Sequence, residues 1–157
     1  MVFTLGNMYY LQHIGYGYSK RICEDVTDWF LTKFLPRHKL FVTISHRGLM
    51  REDSYGWCDL EDDTNKPRTF KIELHSRMEK SLYVQTLLHE LVHVRQWVKG
   101  DLKMKKGKMY CKVPNTDKDY KYAWEWEYKE QPHEKEAYRL EKILYQEYMA
   151  EQKGVPV

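Results

Sequence analysis

Two histidines and a glutamate interrupt the apolar run LLHELVHVRQW, residues 87–97. Buried polar groups cost free energy unless something satisfies them, so these three need either local partners or one shared ligand. On a helix, residues four apart lie one above the other, which aims His89 and His93 at a common point. A metal ion can occupy that point. Glu90 is rotated about a third of a turn from His89, outside the ligand set but within reach of a water on the metal. This is the physical content of H-E-x-x-H: two neutral imidazole ligands and a carboxylate general base on one helix. Thr86 and Gln96 extend the histidine stripe, while Val84, Leu87, Leu91, Val94 and Val98 line another.

A catalytic zinc normally takes three protein ligands and keeps a position for water. After His93 there is no histidine, and no cysteine except Cys111, before PHEKEAYRLEKIL, residues 132–144, offers His133, Glu134 and Glu136. In a helical reading Glu136 falls in line with Leu140 and Ile143, beside Ala137 and Leu144, on the stripe expected to face the core. Glu134 shares a face with Tyr138 and Glu141 and is expected to look elsewhere. Glu136 is therefore the expected third ligand of one zinc ion per chain, because an inward glutamate needs a partner. Developing negative charge on a substrate would need a further donor, for which Tyr110, Tyr120, Tyr122, Tyr128 and His133 are candidates that sequence does not rank.

The elements that must position these groups follow from periodicity. Residues 19–35 place Ile22, Val26, Trp29, Phe30 and Phe34 at helical spacing, with Ser19 as cap and Pro36 as stop. LFVTIS, residues 40–45, and YGWCDL, residues 55–60, read as strands, and residues 61–67 as a turn. TFKIELH, residues 69–75, alternates as a half-exposed strand expected at a sheet edge. Ser76 and Glu79 have the spacing of a capping box for a helix running from about 78 to Gly100, a left-handed C-cap. Residues 101–131 show no sustained period and are expected to form a loop covering the cleft. Pro132 suits the first turn of a last helix, 132–151. The expectation is one α+β domain over 1–157, a small, mostly antiparallel sheet packed on the H-E-x-x-H helix with helices at either end.

Composition narrows the rest. A chain of 157 residues with 42% hydrophobic content, thirteen tyrosines and five tryptophans can bury one core. No window approaches the roughly 18 apolar residues of a membrane span, and the first twenty residues lack a secretory pattern. A monomer of the cytoplasm, without membrane contact, is expected. Cys23, Cys58 and Cys111 are odd in number and widely spaced, which suits buried thiols better than disulfides. The net charge of +3 is uneven: residues 99–121 hold eight lysines against three aspartates, and residues 124–151 hold eight glutamates against four basic residues. These are either two solvated faces, or, in Lys103–Lys112, a basic loop making weak contact with nucleic acid.

With H-E-x-x-H and the E-x-E-A around Glu136 in place, the chain resembles small zinc metallopeptidases of the zincin group, of the gluzincin type whose third ligand is a later glutamate. The segments TFKIELH, HELVHVRQ and PHEKEAYRLE are similar to the minimal core of SprT-like and ImmA/IrrE-like peptidases, over roughly residues 40–148. The resemblance implies a zinc-dependent endopeptidase acting on a protein or peptide substrate. Glu90 would take a proton from the attacking water, and an extended substrate would pair with the edge strand around Phe70–Leu74. Two other readings compete with it: a metal-stabilised module that binds nucleic acid or a protein without cleaving it, and an α+β protein whose core polar residues are satisfied without metal.

Overall fold

The computed structural model describes residues 2–3, 9–50, 54–62, 64–117 and 119–154. Part of the aromatic, glycine-rich start and residue 63 of the 61–67 turn lie outside the described residues. The chain folds as an α+β protein with two sheets. The elements are β1 (Val2–Phe3), β2 (Tyr9–Gly15), α1 (Lys20–Phe34), β3 (Leu40–Arg47), β4 (Gly56–Leu60), β5 (Thr69–His75), α2 (Lys80–Lys99), β6 (Leu102–Lys105), β7 (Lys108–Lys112), β8 (Tyr120–Tyr122) and α3 (Pro132–Gln152).

The larger sheet has the order β1-β2-β3-β5-β4. Its three long inner strands, β2, β3 and β5, run parallel, while β1 and β4 are antiparallel additions. A parallel pair needs a crossover, and α1 supplies it between β2 and β3. The sheet is therefore mixed. β5 is an inner strand, paired on one side with β3 and on the other with β4, so the edge expected at Phe70–Leu74 belongs instead to β4. The alternation in β5 records one covered and one open sheet face: Phe70, Ile72 and Leu74 are fully buried, and Thr69 and Lys71 are half-buried.

One core joins the covered face to two helices. Val26, Phe30 and Leu31 of α1 and Leu87, Leu88 and Leu91 of α2 meet Val42, Ile44, Phe70 and Ile72. Ser19 caps α1, its hydroxyl accepting from the Ile22 amide at 3.2 Å. The cap of α2 differs from the expected box: Glu79 itself is the N-cap, and its carboxylate accepts from the amides of Ser81 and Leu82. Ser76 instead sits in the preceding turn, its amide donating to the Arg47 carbonyl. Gly100, at φ 85°, ends α2 as expected. No helix among the described residues is long and apolar enough to cross a membrane.

Residues 101–131 are ordered by a second sheet rather than being a loop. β6, β7 and β8 form an antiparallel meander, and the β6–β7 turn places Lys106 and Gly107 at φ 52° and 75°. Positive φ at both central residues is what a tight two-residue hairpin requires. The strands escape a hydrophobic-period search because the alternation is between lysine or tyrosine and the buried side, with only Leu102 and Cys111 fully covered.

The parallel strands are tied to α2 at their carboxyl ends. Buried His46 donates from Nδ1 to the Ile14 carbonyl and accepts at Nε2 from the Tyr83 hydroxyl at 2.8 Å. Beside it, Gly15 has φ +106°, and a Cβ there would stand 2.0 Å from the His46 carbonyl oxygen. Gly15→Ala thus combines a disfavoured backbone conformation with a backbone clash. It is expected to lower unfolding free energy by about 2–4 kcal/mol, measured by urea denaturation.

Candidate metal centre

α2 presents His89, Glu90 and His93 at the floor of a cleft of about 650 Å³. All three are buried, as is the residue that meets them from α3, Glu134. One nitrogen from each histidine and one Glu134 oxygen lie within 4.8 Å of one another. Glu134 Oε1 stands 3.1 Å from His89 Nε2 and 3.3 Å from His93 Nε2. Donors about 2.0–2.1 Å from a tetrahedral zinc ion lie about 3.3 Å apart, which is close to the spacing of the Glu134 oxygen from each histidine nitrogen.

The opposite nitrogens are also engaged. His89 Nδ1 donates to Glu141 Oε1 at 3.0 Å, and His93 Nδ1 donates to Gln96 Oε1 at 2.7 Å. With each Nδ1 hydrogen-bonded on the far side, each Nε2 is turned toward Glu134 Oε1, where loss of its proton would leave a lone pair for a metal ion. Such outer hydrogen bonds fix ring orientation and raise ligand basicity. Gln96 is held in turn, its amide donating to the His133 carbonyl at 3.0 Å and to Glu136 Oε1 at 3.1 Å.

Glu134, and not the expected Glu136, completes the three-donor group. The Glu136 carboxylate supports Gln96 and lines a second, smaller cavity of about 300 Å³ behind the histidines. The inward stripe of α3 runs through Glu134, Ala137, Glu141, Leu144 and Tyr148, at intervals of three and four. Ile143, which had placed Glu136 on the core side, is 46% exposed. Fully buried Ala137 lets α3 approach α2, and Pro132 at the helix start puts Glu134 in the first turn, where a carboxylate suits the positive end of the helix dipole. The legible signal was the E-x-x-A-x-x-x-E-x-x-L spacing, which gathers on one face Glu134 of the donor set and Glu141, the carboxylate behind His89.

Of the other candidates, Tyr128 and His133 line the cleft and Tyr110 does not. Tyr110 stands on β7 against Tyr122, with ring centroids 5.9 Å apart. Tyr120 is also turned away, its hydroxyl donating to the Gly100 carbonyl. His133 Nδ1 lies 3.2 Å from Cys111 Sγ, and its Nε2 lies 3.6 Å from Glu134 Oε2. Sequence reasoning missed Glu134, Glu141 and Tyr138, whose ring packs 4.6 Å from that of His89.

The chain matches no protein-family model, no curated protein and no solved structure. The donor set alone carries the metal argument, and its electrostatics agree with it. Burial would lower the pKa of His89, but hydrogen bonds to Glu134 and Glu141 outweigh it and push the value up to about 10. His93 is raised in the same way, burial being overcome by Glu134 and by the charge of Glu90. Burial would raise Glu134, yet the two imidazoles hold it far below the usual carboxylate range. Without metal the arrangement favours protonated imidazoles beside an ionised carboxylate. A divalent cation would take the place of the two Nε2 protons.

Two predictions follow from this exchange of protons for metal. Glu134→Ala is expected to abolish retention of one zinc equivalent through dialysis, as read by metal analysis. Glu136→Ala is expected to keep it, and Glu141→Gln to weaken zinc affinity about 10–100-fold. In chelated protein, stability contributed by protonated His89 is complete below pH 6.5 and lost as pH rises through about 10. The contribution of Glu134, whose pKa is lowered, is present above 4.5 and lost on acidification. The Tm of chelated protein is therefore expected to fall between pH 6.5 and 9, and zinc is expected to restore it.

Proposed function

We propose that the protein is a zinc-dependent endopeptidase of the H-E-x-x-H kind, with His89, His93 and Glu134 as ligands and Glu90 as general base. The observation that carries this reading is the buried Glu90 carboxylate on the floor of the same open cleft as the three-donor set. A zinc ion held there would lower the pKa of a water molecule to about 7 and polarise a substrate carbonyl.

The residues of the chain supply the remaining steps. Burial raises the pKa of Glu90, partly offset by His93 and His89, so its carboxylate is a stronger base than one in water. It would accept the proton of the attacking water and return it to the leaving amine. Tyr128 and His133 are the cleft donors available to meet developing negative charge. Burial and the charge of His93 lower His133 to about 4, leaving it neutral at pH 7. Burial and Glu134 hold the Tyr128 phenol above its ordinary value, so it keeps the proton it would donate.

Substrate alignment falls to β4, which contributes Gly56, Trp57 and Cys58 to the cleft wall. Its far side carries no strand among the described residues, leaving backbone donors and acceptors to pair with an extended peptide. Tyr55, Trp57, Leu82 and Tyr138 add apolar lining around it, suited to side chains of an unfolded segment. Glu90→Gln is expected to retain zinc and lose about 10²–10⁴-fold in kcat on a denatured protein substrate. Zinc-loaded Glu90→Gln protein cleaving as fast as the parent would overturn the mechanism.

A further inference from the structure

The second sheet has two unlike faces. One is turned to the body of the protein, with Leu102 and Cys111 buried and Met109 packed against the core. The register fixes the other. Lys103 stands opposite Tyr110, and Tyr110 opposite Tyr122; Lys105 stands opposite Lys108, and Lys112 opposite Tyr120. Side chains alternate along a strand, so these four lysines and three tyrosines share the outward face. β6, β7 and β8 together contain five lysines and no carboxylate.

The charge of this face is not neutralised locally. None of the four lysines forms an ion pair with a described residue, and Asp101 is the carboxylate in electrostatic range of Lys112. Two lysines lie over rings instead. Lys103 Nζ is 4.4 Å from the Tyr120 centroid, and Lys108 Nζ is 5.4 Å from that of Tyr122. Just past β8, Trp124 is 59% exposed.

We propose that this face binds single-stranded nucleic acid, its phosphates on the lysines and its bases on the tyrosine rings. The inference goes beyond peptide hydrolysis and does not depend on it. Positive charge alone would suit any polyanion, but an acidic peptide leaves three rings without a role. A duplex keeps its base faces stacked inside. Only an unstacked strand offers both phosphates and flat apolar faces to one surface. Adjacent strands about 4.8 Å apart, and alternate residues about 6.7 Å apart along each, make the tyrosines a platform for two or three bases. Binding in this way would move the lysines from the rings to the phosphates beside them.

The test is fluorescence anisotropy of the full zinc-loaded chain with labelled dT20, labelled rU20, a 20-base-pair duplex and heparin, over a salt series. Both single strands or one of them are expected to bind more tightly than the duplex and heparin, the two arms deciding between DNA and RNA. The triple variant Lys103→Gln, Lys105→Gln, Lys108→Gln is expected to bind at least tenfold more weakly, with a salt slope smaller by about 2. Tyr110→Leu with Tyr122→Leu is expected to weaken binding and leave the slope unchanged. Amide exchange of the unmodified chain gives a readout that needs no variant: dT20 or rU20 should slow exchange within residues 102–122. Equal binding of heparin and the single strands would overturn the proposal, as would unchanged affinity in the folded, zinc-retaining triple variant or protection confined to other segments.

Discussion

A carboxylate clamped between two imidazoles governs how the two longest helices must sit. Glu134 is buried against His89 and His93, and removing both imidazole partners would leave its charge uncompensated out of water. Breaking a buried pair in this way costs about 3–5 kcal/mol, far more than a surface ion pair contributes. The first turn of α3 is therefore fixed against the middle of α2. Small Ala137 makes the approach possible, and Gln96, bonded to both His93 and the His133 carbonyl, locks the helix start from its other side. A geometry that demands this much of a folded chain is better explained by a ligand than by stability, since well-packed apolar groups would hold two helices together at lower cost.

The mixed sheet serves the site by bringing an edge to it. β4 can lie close to α2 because Gly56 has no side chain: a Cβ there would meet the Glu73 carbonyl at 2.9 Å and the Thr86 methyl at 3.2 Å. That approach puts the unpaired side of a strand beside the histidines, where loop backbone would be less precisely held. Parallel inner strands anchor the arrangement, since their carboxyl ends are tied by His46 to Tyr83 in the first turn of α2. Core, edge and the histidine-bearing helix are thus tied to one another.

What could be read from the chain depended on how local its cause was. α2 was legible almost whole, because periodicity, the αL glycine at 100 and the i, i+4 histidines are all properties of consecutive residues. Its cap was misassigned by three residues because Glu79 can cap by itself, without Ser76. Glu136 was preferred over Glu134 because Ile143 looked like core, yet that stripe of α3 is only partly covered and Ile143 is half-exposed. Which of two amphipathic stripes faces inward depends on the partner helix, and that is not a local property. β5 misled for a similar reason, since a strand open on one face and a strand at an edge leave the same alternation.

The meander between α2 and α3 escaped because its buried residues are few, and its position explains how it can be there at all. It is inserted between the second and third members of the donor set, His93 and Glu134, a place where added chain would loosen a less firmly tied site. Loop-closure entropy grows only with the logarithm of length, so a long insertion costs little more than a short one when its ends are held near each other. They are: the Lys112 amide donates to the Asp101 carbonyl just past α2, and Gln131, one residue before α3, donates from its side chain to the Ala123 carbonyl. The Cys111–His133 contact closes the same gap from the sheet side. A folded insertion stapled at its base leaves Glu134 as well placed as a short loop would, while freeing an entire sheet face from any duty in the core.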